Sequence, residues 1–253
     1  MKHEDAGPKA PPREPLLQVA GLHAWYGQAH ILHGLDLAVG RGEVVALLGR
    51  NGAGKSTTIK ALMGMLARRG GTVRFMGQDI GGWPTHRIAR AGLGFVPEDR
   101  RIFTELSVAE NLEVGRQRPR RWPDGTPVHA WTPEALYRLF PNLAELRARP
   151  AAQMSGGEQQ MLTVARTLMG NPYVVLLDEP SEGIAPLIVE QMAGMILALK
   201  AAGTSVLLSE QNLHFAQLVA DRAYVLEKGQ LAYEGSLQRL AADQALRRQY
   251  LGV

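Results

Sequence analysis

Apolar residues in this chain fall into short runs separated by turn-forming residues. LLQVAGL (16–22) and ILHGLDLAV (31–39) mix apolar and polar positions between turns, the texture of an antiparallel sheet. Four later runs are more continuous: EVVALLG (43–49), GLGFVPE (92–98), YVVLLDE (173–179) and SVLLSEQ (205–211). Such runs suit strands buried on both faces, under helices. Helical patterning fills the intervals, over Lys55 to Leu66, Gly157 to Met169, Pro186 to Ala201 and Leu213 to Ala220. Strand alternating with helix predicts an α/β fold around a parallel sheet.

One stretch breaks the alternation. From Arg87 to Met154 the chain is rich in Pro, Arg and Trp, with patches of helical period (SVAENLEVG, PEALYRLF, NLAELRAR) and a long polar loop, RQRPRRWPDGTPVHAWTP. It is expected to be a helical subdomain (87–154) inserted into an α/β core made of residues 16–86 and 155–253. Met1 to Pro15, dense in Pro and charge, is expected to be a flexible tail.

Composition narrows the classes. With 45% hydrophobic and 21% charged residues, wholesale disorder is excluded. The absence of cysteine excludes disulfides, thiolate metal sites and cysteine nucleophiles, and fits a reducing compartment. No apolar run approaches the ~18 residues of a membrane span, and the N-terminus has no signal-peptide core. A role at a membrane would therefore need partners that do the spanning. The net charge of +4 comes mostly from arginine, in clusters at Arg68-Arg69, Arg100-Arg101 and Arg116 to Arg121. These are expected to be solvated surface or interface charge. They are too dispersed for a nucleic-acid stripe, and no nucleic-acid partner is expected.

The chemistry starts at Gly49-Arg50-Asn51-Gly52-Ala53-Gly54-Lys55-Ser56, which satisfies G-x-x-x-x-G-K-[ST] between an expected strand and an expected helix. Its glycines let backbone N–H groups curl around phosphates, and the helix N-terminus adds partial positive charge. Lys55 would reach the β- and γ-phosphates and Ser56 would hold Mg²⁺; Thr57 follows on the same phosphate-facing turn. In VVLLDE, Asp178 ends a buried strand where it can orient Mg²⁺ with Ser56, and Glu179 is placed to polarise a water against the γ-phosphate. A third element, Ser155-Gly156-Gly157-Glu158, opens a helix about twenty residues before that strand. Alone it is a flexible cap at an anion-friendly helix end.

Together these motifs resemble the ATP-binding cassette (ABC) ATPases, whose signature reads LSGGQ or SGGEQ, and the resemblance runs from about Leu16 to Val253. It implies a P-loop, RecA-like parallel core with an antiparallel β subdomain and an inserted helical one. In that family two cassettes close head to tail over ATP. Ser155, Gly156, Gly157 and Glu158 would then touch the nucleotide held by the partner. Tyr26, in AWYG, matches the aromatic that stacks on adenine, although an ordinary strand tyrosine competes with that reading.

Three positions depart from the commonest pattern. Glu98 stands where glutamine is usual, and would meet Mg²⁺ directly or through water. Gln211 replaces the switch histidine, and could position the γ-phosphate without taking a proton. Ala185 replaces the aspartate that usually precedes the proline of the D-loop, SEGIAP. A degenerate, non-hydrolysing cassette is one reading; intact Lys55, Ser56, Asp178 and Glu179 favour hydrolysis. As a set, VPEDRRIF, DEPSEGIAP, LSEQN and the closing QYLGV resemble the shorter ATPase subunit of branched-chain amino acid importers, with urea and short-amide importers as the near alternative. That likeness implies a second, different cassette, two membrane-spanning permease subunits, a periplasmic or extracellular solute-binding protein, and a place on the cytoplasmic face of the membrane. The stretch from Glu98 to Asn111 is expected to line a groove for a permease helix. Other classes fit less well. DNA-handling cassettes insert long coiled coils and no sustained heptads occur here. Ribosome-associated cassette proteins usually carry two cassettes. Kinases and GTPases lack the SGGE element, and no guanine-reading N-K-x-D is present.

Overall fold

The computed structural model describes residues 15–248. Residues 1–14 of the expected tail and the closing QYLGV lie outside that range. The strands along the described chain are β1 (Leu17–Tyr26), β2 (Ala29–Val39), β3 (Val44–Leu48), β4 (Arg68–Phe75), β5 (Gln78–Asp79), β6 (Leu93–Val96), β7 (Val174–Asp178), β8 (Ser205–Glu210), β9 (Arg222–Glu227) and β10 (Gln230–Gly235). The helices used below are α1 (Lys55–Leu62), α2 (Thr85–Ala91), α3 (Val108–Gly115), α4 (Pro133–Leu139), α5 (Pro141–Glu145), α6 (Gly156–Leu168), α7 (Pro186–Ala201), α8 (Leu213–Val219) and α9 (Leu237–Ala242).

The first sheet is antiparallel, in the order β2-β1-β4-β5. Its buried face takes Leu17 and Val19, then skips a position to Leu22 and Ala24. The skip coincides with an irregularity in pairing between Val19 and Leu22, where Gly21 has φ +58°. A bulge there lets both halves of β1 keep their apolar side chains on one face. The second sheet runs β10-β9-β3-β8-β7-β6, and pairing from β9 through β6 is parallel. Every residue of β3, β7 and β8 is buried, as their apolar composition requires. Parallel strands put their C-terminal ends on one edge of a sheet. Here that edge collects Gly49 after β3, Glu98 after β6, Asp178 on β7 and Gln211 after β8.

The expected helices form, with one marked difference. α7 matches its expected limits, and α6 and α8 match within a residue. α1 stops at Leu62 instead of continuing to Leu66, because Gly64 is left-handed (φ +68°). A Cβ at that position would stand 2.8 Å from the Trp83 carbonyl oxygen, so the chain turns where only glycine fits.

The inserted span also needs correction. β6 pairs with β7 from Leu93↔Val174 to Val96↔Leu177, so within the span from residue 87 the end of α2 leads into a strand of the parallel sheet, and the remaining helices of the span follow that strand. A four-residue apolar strand inside a helical span is legible as a strand, but its partners are not. Beyond it, Val108, Leu112, Leu136, Phe140 and Leu143 pack with α6 in one cluster that reaches Val175 and Leu177 of β7. Each such fully buried side chain contributes roughly 1.5–3 kcal/mol.

The polar loop at 116–133 is not free. Trp122 and Val128 are buried beside Tyr173, and the Trp122 N–H donates to the Thr126 carbonyl at 2.8 Å in a tight reversal. Arg41 lies over the Trp122 ring, 3.8 Å from its centroid. Most of the clustered arginines are exposed, as expected, and several also bind backbone carbonyls. Arg69 donates to Gly81 and Leu66, Arg120 to Arg90 and Gly170, and Arg121 to Gly125. The planar guanidinium fork lets Arg69 and Arg120 each reach two separate carbonyls.

Candidate functional site

The phosphate loop forms between β3 and α1. Gly49, Gly52 and Gly54 have φ of +154°, +79° and +110°. A Cβ on Gly49 would lie 2.6 Å from the Leu226 carbonyl oxygen, so this glycine answers to packing as well as conformation. Lys55 is 3% exposed, and its Nζ donates to the carbonyls of Gly49 (2.8 Å) and Arg50 (3.2 Å). It also pairs with Glu179 Oε1 at 3.0 Å. Arg50, Asn51, Gly52 and Ala53 line a cavity of about 270 Å³ whose far wall is Leu226 and Lys228. Thr57 is buried in the first turn of α1.

Asp178 and Glu179 stand at the end of β7. Burial pushes the Asp178 carboxyl up, against hydrogen bonds from the hydroxyls of Ser209 and Ser56. The Ser209 bond is 2.7 Å. Glu179 is left-handed (φ +47°), and its N–H donates to both the carbonyl and the hydroxyl oxygen of Ser209 at 3.1 Å. Burial alone would raise its carboxyl. Hydrogen bonds with Glu182 and Lys55, and the charge of Lys55, outweigh that and hold it below the usual range. Glu182 takes the opposite shift. Its hydrogen bond to Glu179, then burial, then the charges of Glu179, Glu98 and Glu210 push it up to about 7. Below about pH 7 the pair is therefore one carboxylate beside one carboxylic acid.

Glu98 is exposed, and its charge is felt at Glu182. The groups acting on Asp178 are Ser209, Ser56, Lys60 and Glu179. Gln211 is exposed at the end of β8, directly after buried Glu210. Burial pushes the Glu210 carboxyl up, against hydrogen bonds from Ser181, Asn212 and Gln211. Tyr26 closes β1 with 47% of its surface exposed. The strand after it is tied to the phosphate loop through Gly229, which accepts from the His33 N–H and donates to the Ala53 carbonyl, both at 2.9 Å.

Ser155 caps α6 in a reciprocal box: its oxygen accepts from the Glu158 N–H (3.4 Å), and the Glu158 carboxylate accepts from the Ser155 N–H (2.7 Å). The Glu158 side chain is thus folded back onto its own helix. A Cβ on Gly156 would be 2.7 Å from the Arg100 guanidinium, and one on Gly157 would be 2.9 Å from Ile188. The element rests on the loop after β6 and on α7. The groups that touch Lys55 are Gly49, Arg50 and Glu179, and none belongs to the Ser155–Glu158 element.

Of the groove expected from Glu98 to Asn111, the first part is concave: Glu98 to Ile102 and Thr104 line a surface pocket of about 330 Å³ with Gln159. Asn111 is fully buried and pins the loop, accepting from the Phe103 N–H and donating to the carbonyls of Phe103, Leu106 and Ser107. Phe103 does reach a surface groove of about 390 Å³, whose other walls are Ala89, Leu93, Phe95, Val114 and Arg166. Arg166 lies over the Phe103 ring at 4.9 Å. Sequence reasoning missed Ser209, Glu210 and Glu182. Two polar residues closing the otherwise apolar run SVLLSE were the available signal for the first two.

A phosphate loop on a central parallel strand, a buried aspartate and glutamate on the neighbouring edge and a capped SGGE helix define a P-loop nucleotide hydrolase of the cassette type. Residues 32–182 match the ABC transporter family, and the chain belongs to it. It is 40% identical over 94% of its length to the whole of "High-affinity branched-chain amino acid transport ATP-binding protein BraG" of Pseudomonas aeruginosa. It is 34% identical over 93% of its length to 97% of "Lipopolysaccharide export system ATP-binding protein LptB" of Escherichia coli K12. Among solved structures, a nucleotide-free ATP-binding cassette from an ABC transporter superposes with TM-score 0.76 at 27% identity, covering 92% of this chain and 97% of that one. The ADP conformation of the cassette MJ1267 superposes with TM-score 0.74 at 26% identity, covering 92% and 97%. The chain is an ATP-hydrolysing, nucleotide-binding subunit of a transporter, a kind of subunit that works with membrane permease components. Among the described residues no helix is long and apolar enough to cross a membrane.

Proposed function

We propose that this chain energises import of branched-chain amino acids from the cytoplasmic face of the membrane. The likeness to BraG carries the reading, since it spans the whole of that relative at 40% identity. Glu98, Gln211 and the Gly183-Ile184-Ala185-Pro186 turn, which resemble that group as a set, support it. Lipopolysaccharide export is the second reading, favoured by the 34% identity to LptB; a urea or short-amide importer is a third, by resemblance alone.

In the proposed mechanism the phosphate loop, Gly49 to Ser56, takes the β- and γ-phosphates, and Lys55 exchanges its loop carbonyls for phosphate oxygens. Tyr26 stacks on the adenine. Ser56 and Asp178 would hold Mg²⁺, with Glu98 as a further oxygen donor, directly or through water. The donors fit that ion: hard oxygens, and a carboxylate whose burial penalty a cation relieves. When bound, the ion neutralises charge on the phosphates. Glu179, held ionised by Lys55 and Glu182, polarises the attacking water. Gln211 donates an amide N–H to the γ-phosphate. Ser155, Gly156 and Gly157 serve the nucleotide of a second, different cassette docked head to tail, with backbone N–H groups at the start of α6 as donors. Glu158 acts there by holding the cap. The groove beside Phe103 receives a helix of one of two permease subunits, which a solute-binding protein loads.

The test is uptake of labelled leucine by a strain lacking the gene, with labelled urea in parallel. The chain restores leucine uptake. Restored urea uptake alone, or a lipopolysaccharide export defect with intact leucine uptake, overturns the substrate assignment.

A further inference from the structure

Glu210 ends β8 inside the protein, 1% exposed, with four donors on its two oxygens. Oε1 accepts from the Ser181 N–H (3.2 Å) and hydroxyl (2.5 Å). Oε2 accepts from the N–H groups of Gln211 (3.1 Å) and Asn212 (3.2 Å). A buried carboxylate is tolerated only when its acceptors are filled, and these are. What it joins is specific: the turn that carries Gln211, and the turn that follows Glu179. Its neighbour Ser209 makes the companion link, with its hydroxyl donating to Asp178 and its oxygens accepting from the Glu179 N–H. Glu179 keeps a left-handed backbone that a non-glycine residue holds at a cost of about 1–3 kcal/mol. It persists because the surrounding bonds dictate it. The last two residues of β8 therefore tie the switch turn to three points of the Asp178–Ser181 segment.

We propose that Glu210 is a positioning residue for hydrolysis, holding the Gln211 turn and the Ser181 turn as one body. Contact of the γ-phosphate with Gln211 is thereby felt at the segment that carries Glu179. The proposal rests on the roles given above to Glu179 and Gln211. A purely structural staple would move stability alone, whereas a positioning staple moves turnover and the response of one turn to events at the other.

Ser181 offers the gentle perturbation. Ser181→Ala deletes one of the four donors, Ser181→Thr keeps it, and Glu210→Gln puts an amide NH₂ against donors. Each full-length variant is compared with the wild type for ATP turnover, for thermal unfolding, and for hydrogen exchange of residues 178–185 and 209–213 with and without adenylyl-imidodiphosphate. In the wild type both segments are protected by the analogue. In Ser181→Ala only 209–213 responds, kcat falls about tenfold or more while KM stays within about twofold, and Ser181→Thr restores both; misplacement of about 1 Å at a reacting group can cost a hundredfold. Glu210→Gln behaves as Ser181→Ala or worse. The proposal is overturned if 178–185 still responds in Ser181→Ala, if kcat is unchanged, or if loss of turnover only follows loss of thermal stability. Analogue binding without a response at either segment in the wild type would overturn the role of Gln211 and the proposal with it. A response at 209–213 alone in the wild type would overturn the coupling and leave the role of Gln211 standing.

Discussion

Lys55 and Glu179 form a buried ion pair, 3.0 Å apart and 3% and 8% exposed. At that distance their attraction is about 5.5 kcal/mol with an effective dielectric constant of about 20. Desolvation offsets much of this, so the pair is not a large net source of stability. Removing one partner is another matter. Lys55→Met leaves a buried carboxylate facing a thioether, and should cost about 3–5 kcal/mol, which for a chain of this length lowers Tm by roughly 6–20 °C. Glu179→Gln should cost less, about 1–3 kcal/mol, because Lys55 keeps the carbonyls of Gly49 and Arg50 and an amide oxygen remains. The double variant removes both charges and should be more stable than Lys55→Met alone, with a coupling energy of at least about 1.5 kcal/mol. The Lys55→Met penalty should also shrink at acid pH, where Glu179 escapes by protonation. The assay is thermal unfolding of the full-length chain without nucleotide, in chelator, at pH 5.5 and 8. A Lys55→Met variant within about 0.5 kcal/mol of wild type, or strictly additive costs, would refute this reasoning.

Three further outcomes are expected. Phe103, 48% exposed in the groove, should be needed for docking: Phe103→Asp weakens co-purification with the permease subunits while leaving ATP binding unchanged, and undiminished recovery would contradict it. Gly229→Ala would put a Cβ 1.7 Å from the Ile31 carbonyl oxygen at φ +75°, costing about 1–3 kcal/mol for the conformation alone. Since Gly229 holds the Ala53 carbonyl, nucleotide titration should show weaker ATP binding as well as a lower Tm. Glu182 keeps its proton up to about pH 7 in the folded chain, whereas the unfolded carboxyl loses it near 4.5. The stability it contributes is complete below pH 4.5 and is lost as pH rises toward and through 7. Melting curves from pH 5 to 8 in chelator should decline less steeply for Glu182→Gln, and identical slopes would count against the shift.

Much of the site was legible because its chemistry is local. The phosphate loop, Asp178, Glu179 and the SGGE cap each lie within a few consecutive residues, and four apolar runs were enough to place their strand ends on one edge. What was not legible depends on pairing between distant segments. β4 reads RRGGTVRF, whose paired glycines suppress a strand signal, and it is a strand because β1 lies beside it. The arginines at 69 and 120 look like surface charge, yet their donors meet the carbonyls of Gly81, Arg90 and Gly170, which the fold brings near. Trp122 sits in a polar loop by composition and in the core by geometry. Glu182 and Glu210 matter through partners 3 and 29 residues away in sequence, Glu179 and Ser181, so no spacing rule would have found both.

In the proposed mechanism Glu179 activates the water that cleaves ATP, while Lys55 and the phosphate loop bind the nucleotide. The direct measurement is ATP turnover, with a count of retained nucleotide, by the chain assembled with its membrane subunits, wild type against Glu179→Gln. Loss of a positioned base should cut turnover by a factor of about 10²–10⁴ while unhydrolysed ATP remains bound. Turnover at the wild-type rate in Glu179→Gln would contradict the account.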